Sequence, residues 1–347
     1  MCYRRLGRSG LRISALSLGS YVTFADQVDL PLAKELLRTA FDAGVNFFDN
    51  AETYAAGDSE RLMGRAIAEL GWPRDAFLIS SKVFFGALAD PGPLQRGLHR
   101  KNVVEACHQA LERLRVDYLD LYFCHRPDPE TPVEETVRAM HDLVRQGKVL
   151  YWGTSEWPAR RIRQAYRVAE RHGLTPPTME QPQYNLLNRD RLELEYAHLY
   201  RRHGLGTTTW GPLRSGLLSG KYAGGTPEGT RLARPGHAEL RAHLSTAAGR
   251  EKLRVIDRLA VLAARLDATP AQLAIAWCLV NPHVSSVILG ASSLEQLTEN
   301  LGALDLLPRL DADVRREIEA ILATLPRPGL GGLPGGRWLA ALRHALG

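Results

Sequence analysis

Residues 118–155 read YLDLYFCHRPDPETPVEETVRAMHDLVRQGKVLYWGTS. The stretch opens on an apolar, aromatic run, Tyr118 to His125, and closes on a second one, Val149 to Ser155. Between them Val133, Val137, Met140 and Val144 recur at spacings of three to four, the signature of one apolar helix face. Strand, loop, amphipathic helix, strand is the pattern of a βα repeat. Both strands are mostly apolar rather than alternating, as expected where helices cover a parallel sheet.

Outward from this unit the pattern recurs along the chain of 347 residues. Candidate strands are Ala15 to Ser20, Asn46 to Ala51, Phe77 to Val83, Tyr118 to His125, Val149 to Ser155, Thr178 to Tyr184, Gly206 to Leu213 and Val284 to Ala291. Val103, Cys107, Ala110, Leu111 and Leu114 mark a further helix face. Eight alternations fit an open doubly wound sheet or a closed barrel. The open fold usually carries a glycine-rich fingerprint after an early strand, and no G-x-G-x-x-G stands in that setting, so the sequence predicts a (β/α)8 TIM barrel. Arg4 to Ser14, with Gly7 and Gly10, reads as an N-terminal β-hairpin capping the barrel floor. Arg214 to Ala247 reads as a long loop after strand seven and a candidate ligand cover. The expected division is a barrel over residues 1–325 and a tail over 326–347, a linker followed by a short apolar helical face of Trp338, Leu339, Leu342 and Leu346.

Composition excludes several function classes. The 44 basic residues are interleaved with 38 acidic ones and form no block, so the net charge of +6 predicts no nucleic-acid partner. Cys2, Cys107, Cys124 and Cys278 lie far apart without a C-x-x-C pair, which predicts reduced thiols and no metal site. The first residues run into polar chain without an apolar leader, and there is no run of 18 apolar residues. The expectation is a cytoplasmic protein without membrane insertion.

In such a barrel the active site forms at the C-terminal strand ends, so the polar residues that stop the apolar runs are the ones to inspect. Phe47-Phe48 stops at Asp49, with Tyr54 five residues on; the third strand ends on Lys82, and the fourth on His125. Singly, each has an ordinary role: a helix cap, a loop contact, a solvated charge, a backbone partner. Together, an acid, a phenol, a lysine and a histidine from three successive strands converge on one mouth. A carbonyl reduction needs a proton donor for oxygen, and a tyrosine with an ordinary pKa of about 10 is sluggish at neutral pH. A cation about 4 Å away, at an effective dielectric near 20, favours phenolate by about 4 kcal/mol, or roughly three pKa units. Lys82 is expected to supply this, oriented by Asp49, while His125 hydrogen-bonds the substrate oxygen.

Asp49, Tyr54, Lys82 and His125 resemble, in order and setting, the catalytic tetrad of the aldo-keto reductase family. The likeness extends through Phe47 to Tyr54, Cys124 to Asp128, Trp152 to Ser155 and Leu289 to Ser292, and spans about residues 3–325. It is strongest to the branch containing bacterial aldehyde reductases of methylglyoxal or glyceraldehyde 3-phosphate type and the β-subunits of voltage-gated potassium channels. Relative to the channel-subunit pattern, His125 replaces an Asn, Glu156 an Arg and Gly211 a Ser.

The resemblance implies NADPH as cofactor, reduction of aldehydes and ketones, and a homo-oligomer. It implies that Ser155 and Gln181 contact the nicotinamide amide and Trp210 stacks near the ring. Gly211, Pro212, Leu213, Ser215 and Lys221 are then placed along the pyrophosphate, Arg231 at the 2′-phosphate, and Gly290, Ser292, Gln296, Glu299 and Asn300 at the adenosine half. Ser20, Tyr21, Gln27 and Asp49 complete the implied set. Independently, Ser292-Ser293-Leu294-Glu295 has the S-x-x-E spacing of a capping box, an ordinary helix start as well as a phosphate seat. Arg231 reads equally as a solvated loop charge. Tyr21, Phe84, Phe85 and Trp157 are candidate substrate-pocket walls, as are Phe24 and Tyr184, with core packing the alternative for each. A regulatory module that holds NADPH and turns over slowly, like a channel β-subunit, is the competing expectation.

Overall fold

Short strands form over runs such as Leu119–Cys124, apolar but for Asp120, and Leu78–Val83, where Leu78, Ile79 and Val83 flank Ser80, Ser81 and Lys82. A computed structural model describes residues 1–325 apart from 22, 223, 224, 226–230 and 234–237. The expected tail over 326–347 lies outside the described residues.

The hairpin strands β1 (Tyr3–Arg5) and β2 (Arg12–Ser14) pair antiparallel. Eight parallel strands follow: β3 (Leu16–Gly19), β4 (Phe47–Asp49), β5 (Leu78–Val83), β6 (Leu119–Cys124), β7 (Val149–Ser155), β8 (Met179–Gln181), β9 (Gly206–Thr209) and β10 (Ser286–Leu289). They pair in sequence order, and β10 closes the ring by bonding both β9 and β3. The expected (β/α)8 barrel is therefore present, and each candidate run contains its strand.

Phe47, Leu121, Phe123, Met179 and Ile288 form one buried cluster with Leu6 and Ile13. The five barrel residues come from β4, β6, β8 and β10, the alternate-strand layering of a filled barrel. Leu6 and Ile13 flank the hairpin turn and are fully buried, so the hairpin plugs the barrel as expected.

Contacts divide the described chain into two compact units. The first comprises Met1–Gln183, Arg191–Trp210 and Pro282–Thr298, and holds the hairpin and all eight barrel strands. Its helices include α1 (Leu30–Asp42), α2 (Asp58–Leu70), α3 (Arg100–Leu114), α4 (Val133–Arg145), α5 (Ala159–His172) and α6 (Ala197–His203). The second comprises Tyr184–Asp190, Gly211–Asn281 and the chain from Glu299. It contains α7 (Ala238–Leu244), α8 (Ala247–Arg265) and α9 (Pro270–Val280). Helix α10 (Leu294–Leu301) runs from the first into the second, which adds α11 (Ala303–Leu306) and α12 (Ala312–Leu322).

Thr269 and Gln272 form a reciprocal capping box at the start of α9, in which Ala271 and every residue of the apolar run Leu273–Leu279 are buried. That burial on every side explains its unbroken apolar composition. Among the described residues no single helix is long and apolar enough to cross a membrane; α8 and α9 together reach the length, but bend by 91°. The long loop expected after the seventh barrel strand, β9, carries short elements: Leu217–Ser219 and Arg231–Ala233 form 3₁₀ turns, and α7 follows.

Candidate active site

Asp49 and Lys82 lie at or next to the last ladder positions of β4 and β5, and His125 directly follows β6. Tyr54 stands on the loop after β4, where its N–H donates to the Ala51 carbonyl. Directly after it Ala55 and Ala56 have φ of 47° and 50°, and Gly57 has 91°. Two alanines in the left-handed region carry strain that a fold usually keeps near functional sites.

Lys82 is fully buried, and its ammonium has three donors to place. All three have acceptors: Asp49 Oδ2 at 2.6 Å, the Asn50 carbonyl at 2.7 Å and the Tyr54 hydroxyl at 3.2 Å. Asp49 Oδ1 accepts from Ser80 Oγ at 2.8 Å and Gln181 Nε2 at 3.0 Å. The His125 ring stands edge-on to Tyr54 with centroids 6.0 Å apart, and Phe85 packs against His125 at 5.2 Å. Tyr21 lies 4.9 Å from the Tyr54 ring. The four tetrad residues thus meet in one cluster with Gln181, Tyr21 and Phe85.

The electrostatics differ from the expectation at Tyr54. Burial pushes the phenol well above its ordinary range, and the Asp49 carboxylate pushes the same way. Burial is the larger cause, and Lys82, with Asp49 2.6 Å away, acts on the phenol as one end of a dipole rather than as a free cation. The expected depression by roughly three units is therefore absent, and Tyr54 keeps its proton through neutral pH. Burial also draws Lys82 downward, opposed by Asp49. His125 is held well below its usual range by burial and then by the Arg126 and Lys82 charges, so its ring is neutral. Its Nδ1 is buried and has no hydrogen-bond partner among the described residues.

The other expected positions divide between the two units. In the first, Ser20 donates to the Asp49 carbonyl through both N–H and hydroxyl, and Ser155 Oγ donates to the Gln181 carbonyl at 2.9 Å. The Trp210 indole is half-buried and donates to Glu156 Oε1 at 3.1 Å. Gln27 is exposed on the turn after β3. At exposed Gly290 an added Cβ would meet nothing within 4 Å. The cap of α10 is shifted by one residue from the expected box. Because the helix begins at Leu294, Ser293 Oγ accepts from the Gln296 N–H, and Gln296 Oε1 accepts from the N–H and hydroxyl of Ser292.

In the second unit the Gly211 carbonyl accepts from Asn185 Nδ2, Pro212 is buried, and Leu213 and Ser215 are half-buried. Lys221 is exposed with its ammonium over the Tyr222 ring. The Glu299 carbonyl accepts from Gln272 Nε2, and Asn300 is buried. The Arg231 side chain lies outside the described residues. Of the candidate walls, Tyr21, Phe84 and Phe85 are half-buried, whereas Phe24, Trp157 and Tyr184 are buried to 1–2% exposure and pack as core.

Four charged residues of this region were not expected in the site, Glu156 standing only as a departure from the channel-subunit pattern. Arg126 is buried beside the tetrad, donating to the His125 carbonyl and to Ser155 Oγ. Glu52 Oε1 accepts from the N–H groups of Phe84 and Gly86, both at 2.8 Å, tying the Tyr54 loop to the one bearing Phe85; burial lifts its carboxyl to about 7. Glu180 accepts from Thr154, the Trp157 N–H and Tyr196, and burial lifts it to about 8. Glu156 bonds to Trp210, Gln183 and Arg191. A charge inside or abutting an apolar run was the available signal.

The chain matches the Aldo/keto reductase family over residues 15–323. It is 49% identical over 328 residues to a protein of Oryza sativa subsp. japonica named probable voltage-gated potassium channel subunit beta, covering 94% of this chain and 98% of that one. A protein of the same name from Arabidopsis thaliana is 48% identical with the same coverage. With most of its length matched and a buried Asp–Lys–Tyr cluster at the barrel's strand ends, the chain belongs to the aldo/keto reductase family.

Proposed function

We propose that this protein is an NADPH-dependent reductase of aldehydes and ketones, acting on small reactive aldehydes, with Tyr54 as general acid. The observation that carries the reading is the ammonium of Lys82 shared among Asp49, the Asn50 carbonyl and the Tyr54 hydroxyl, with His125 alongside. Bound NADPH supplies the hydride that forms the new C–H bond. Ser155, Gln181 and Trp210 are the residues to hold its nicotinamide end, and Gly290, Ser292 and Gln296 its adenosine end. Supporting this fit, the chain at Gly290 is open to close approach, and α10 starts four residues on, offering N–H groups to an anion. NADPH rather than NADH is assigned because a guanidinium at Arg231 suits a 2′-phosphate.

The Tyr54 oxygen accepts from Lys82, which leaves the phenol's own proton for another acceptor. As the carbonyl π bond breaks and charge gathers on oxygen, Tyr54 gives up that proton to form the O–H bond. The phenolate left behind is met by Lys82, whose place is fixed by Asp49 and Asn50. Neutral His125 donates to the same substrate oxygen as its charge develops. Solvent then restores the proton on Tyr54.

The experiment is NADPH consumption by purified protein against a varied carbonyl panel. Steady oxidation with small aldehydes is expected, and none across the panel would sink the proposal. The names of the rice and Arabidopsis relatives favour a second reading, an NADPH-holding channel β-subunit-like module with slow turnover. His125, where the channel-subunit pattern resembled by the sequence has Asn, favours the reductase. Slow NADP⁺ release with negligible turnover would reverse that preference. The proposal includes a cytoplasmic homo-oligomer, which light scattering on a sizing column tests.

A further inference from the structure

Glu156 takes no part in the proposed proton transfer, yet its backbone is strained. It follows β7 with φ of 59°, a region disfavoured for a residue with a Cβ. Its side chain is only 13% exposed. Oε1 accepts from the Gln183 N–H at 2.6 Å and from Trp210 Nε1 at 3.1 Å. Oε2 and the Glu156 carbonyl accept from one Arg191 nitrogen at 2.6 and 3.0 Å. The next residue, Trp157, is fixed through its own N–H by Glu180 Oε1 at 3.1 Å. One carboxylate therefore joins the segments that leave β7, β8 and β9, and a strained conformation persists where its surroundings over-determine it.

A carboxylate serving only to neutralise Arg191 needs one oxygen. Here the second oxygen is spent on a backbone N–H and on the indole of a half-buried tryptophan. An indole has one polar atom, so pinning that N–H at the barrel mouth fixes the plane of the whole ring. We infer that Glu156 is a positioning residue that orients the Trp210 indole and thereby sets the seat of the nicotinamide ring. The part concerning nicotinamide rests on the oxidoreductase reading; the part concerning Trp210 does not.

The test uses Glu156→Ala, Glu156→Gln and Trp210→Phe in the full chain. In nucleotide-free protein, the indole N–H resonance of Trp210, assigned through Trp210→Phe, should exchange slowly with solvent. It should keep its position in Glu156→Gln, which retains the Oε1 acceptor, and become shifted and fast-exchanging in Glu156→Ala. Equilibrium titration should show NADPH binding about tenfold weaker in Glu156→Ala and within about threefold of wild type in Glu156→Gln. On a Trp210→Phe background Glu156→Ala should weaken binding by less than about twofold more, because its effect passes through the indole. An unchanged resonance in Glu156→Ala, an equal loss of affinity on the Trp210→Phe background, or a Glu156→Gln variant that binds NADPH about tenfold more weakly than wild type would overturn the inference. Glu156→Gln alone decides the matter if the alanine variant does not fold. A slowly exchanging indole in a protein that binds no NADPH would instead sink the oxidoreductase reading and leave the hold on Trp210 standing.

Discussion

Replacing Lys82 by Met should destabilise the protein because it strands a buried charge. The side chains of Lys82 and Asp49 are 0% and 4% exposed, and the substitution leaves Asp49 with only Ser80 and Gln181 as donors. Breaking a buried ion pair from one side costs about 3–5 kcal/mol. For 347 residues an unfolding entropy near 2.1 cal/mol/K per residue amounts to about 0.7 kcal/mol/K, so the Tm should fall by about 4–7 °C. The double variant Lys82→Met, Asp49→Asn keeps an acceptor for Ser80 and Gln181 and buries no charge, so its Tm should return to within about 2 °C of wild type. Calorimetry at one scan rate on nucleotide-free protein reads both. A single variant within about 1 °C of wild type, or a double variant less stable than the single one, would refute the reasoning.

Glu52 supplies a pH test. Its folded pKa is about 7 against an ordinary 4.5, so the folded state holds a proton that the unfolded chain has released. Stability is then full below pH 4.5 and lost as pH rises toward 7, by on the order of 3 kcal/mol. Glu52→Gln cannot ionise and still offers its carbonyl oxygen to Phe84 and Gly86, so the slope of Tm against pH between 5 and 7 should flatten; an unchanged slope would remove Glu52 as its source. His125→Asn should lower turnover by about 10²–10³-fold with NADPH affinity unchanged, whereas retained turnover would show that the imidazole stabilises no charge. Gly153→Ala places a Cβ 2.3 Å from the Met179 carbonyl oxygen, so strand backbone must shift; a cost of about 1–3 kcal/mol is expected from denaturant unfolding, and an unaffected midpoint would contradict the packing.

The barrel was legible because parallel strands buried on both faces keep their apolar runs intact, and the βα unit from Tyr118 to Ser155 is a faithful sample of the rest. Strand ends were less so. The run Thr178 to Tyr184 forms a strand only over Met179–Gln181, since Pro182 has no N–H for the ladder, and beyond it Gln183 keeps one isolated bridge to Trp210. The run from Gly206 ends as a strand at Thr209, keeps one isolated bridge at Trp210, and then turns at Gly211, with positive φ, ahead of Pro212. Asp49, Tyr54, Lys82 and His125 were readable because each interrupts or follows an apolar run. Their electrostatics were not, because the direction of the Tyr54 shift depends on burial and on Asp49 lying 2.6 Å from Lys82, neither of which spacing reveals. Glu52 and Glu180 escaped notice, and Glu156 was legible only as a departure from the channel-subunit pattern, for a related reason: a buried carboxylate is recognised by the N–H groups that meet it, and those come from other strands and loops.

The most direct test is single-turnover kinetics of Tyr54→Phe mixed with saturating NADPH and an aldehyde that wild type reduces. A proton donor in this position contributes about 10²–10⁴-fold, so reduction should slow by that factor while NADPH binds as before. Reduction at the wild-type rate in a variant without the phenol would contradict the assignment of Tyr54 as the acid.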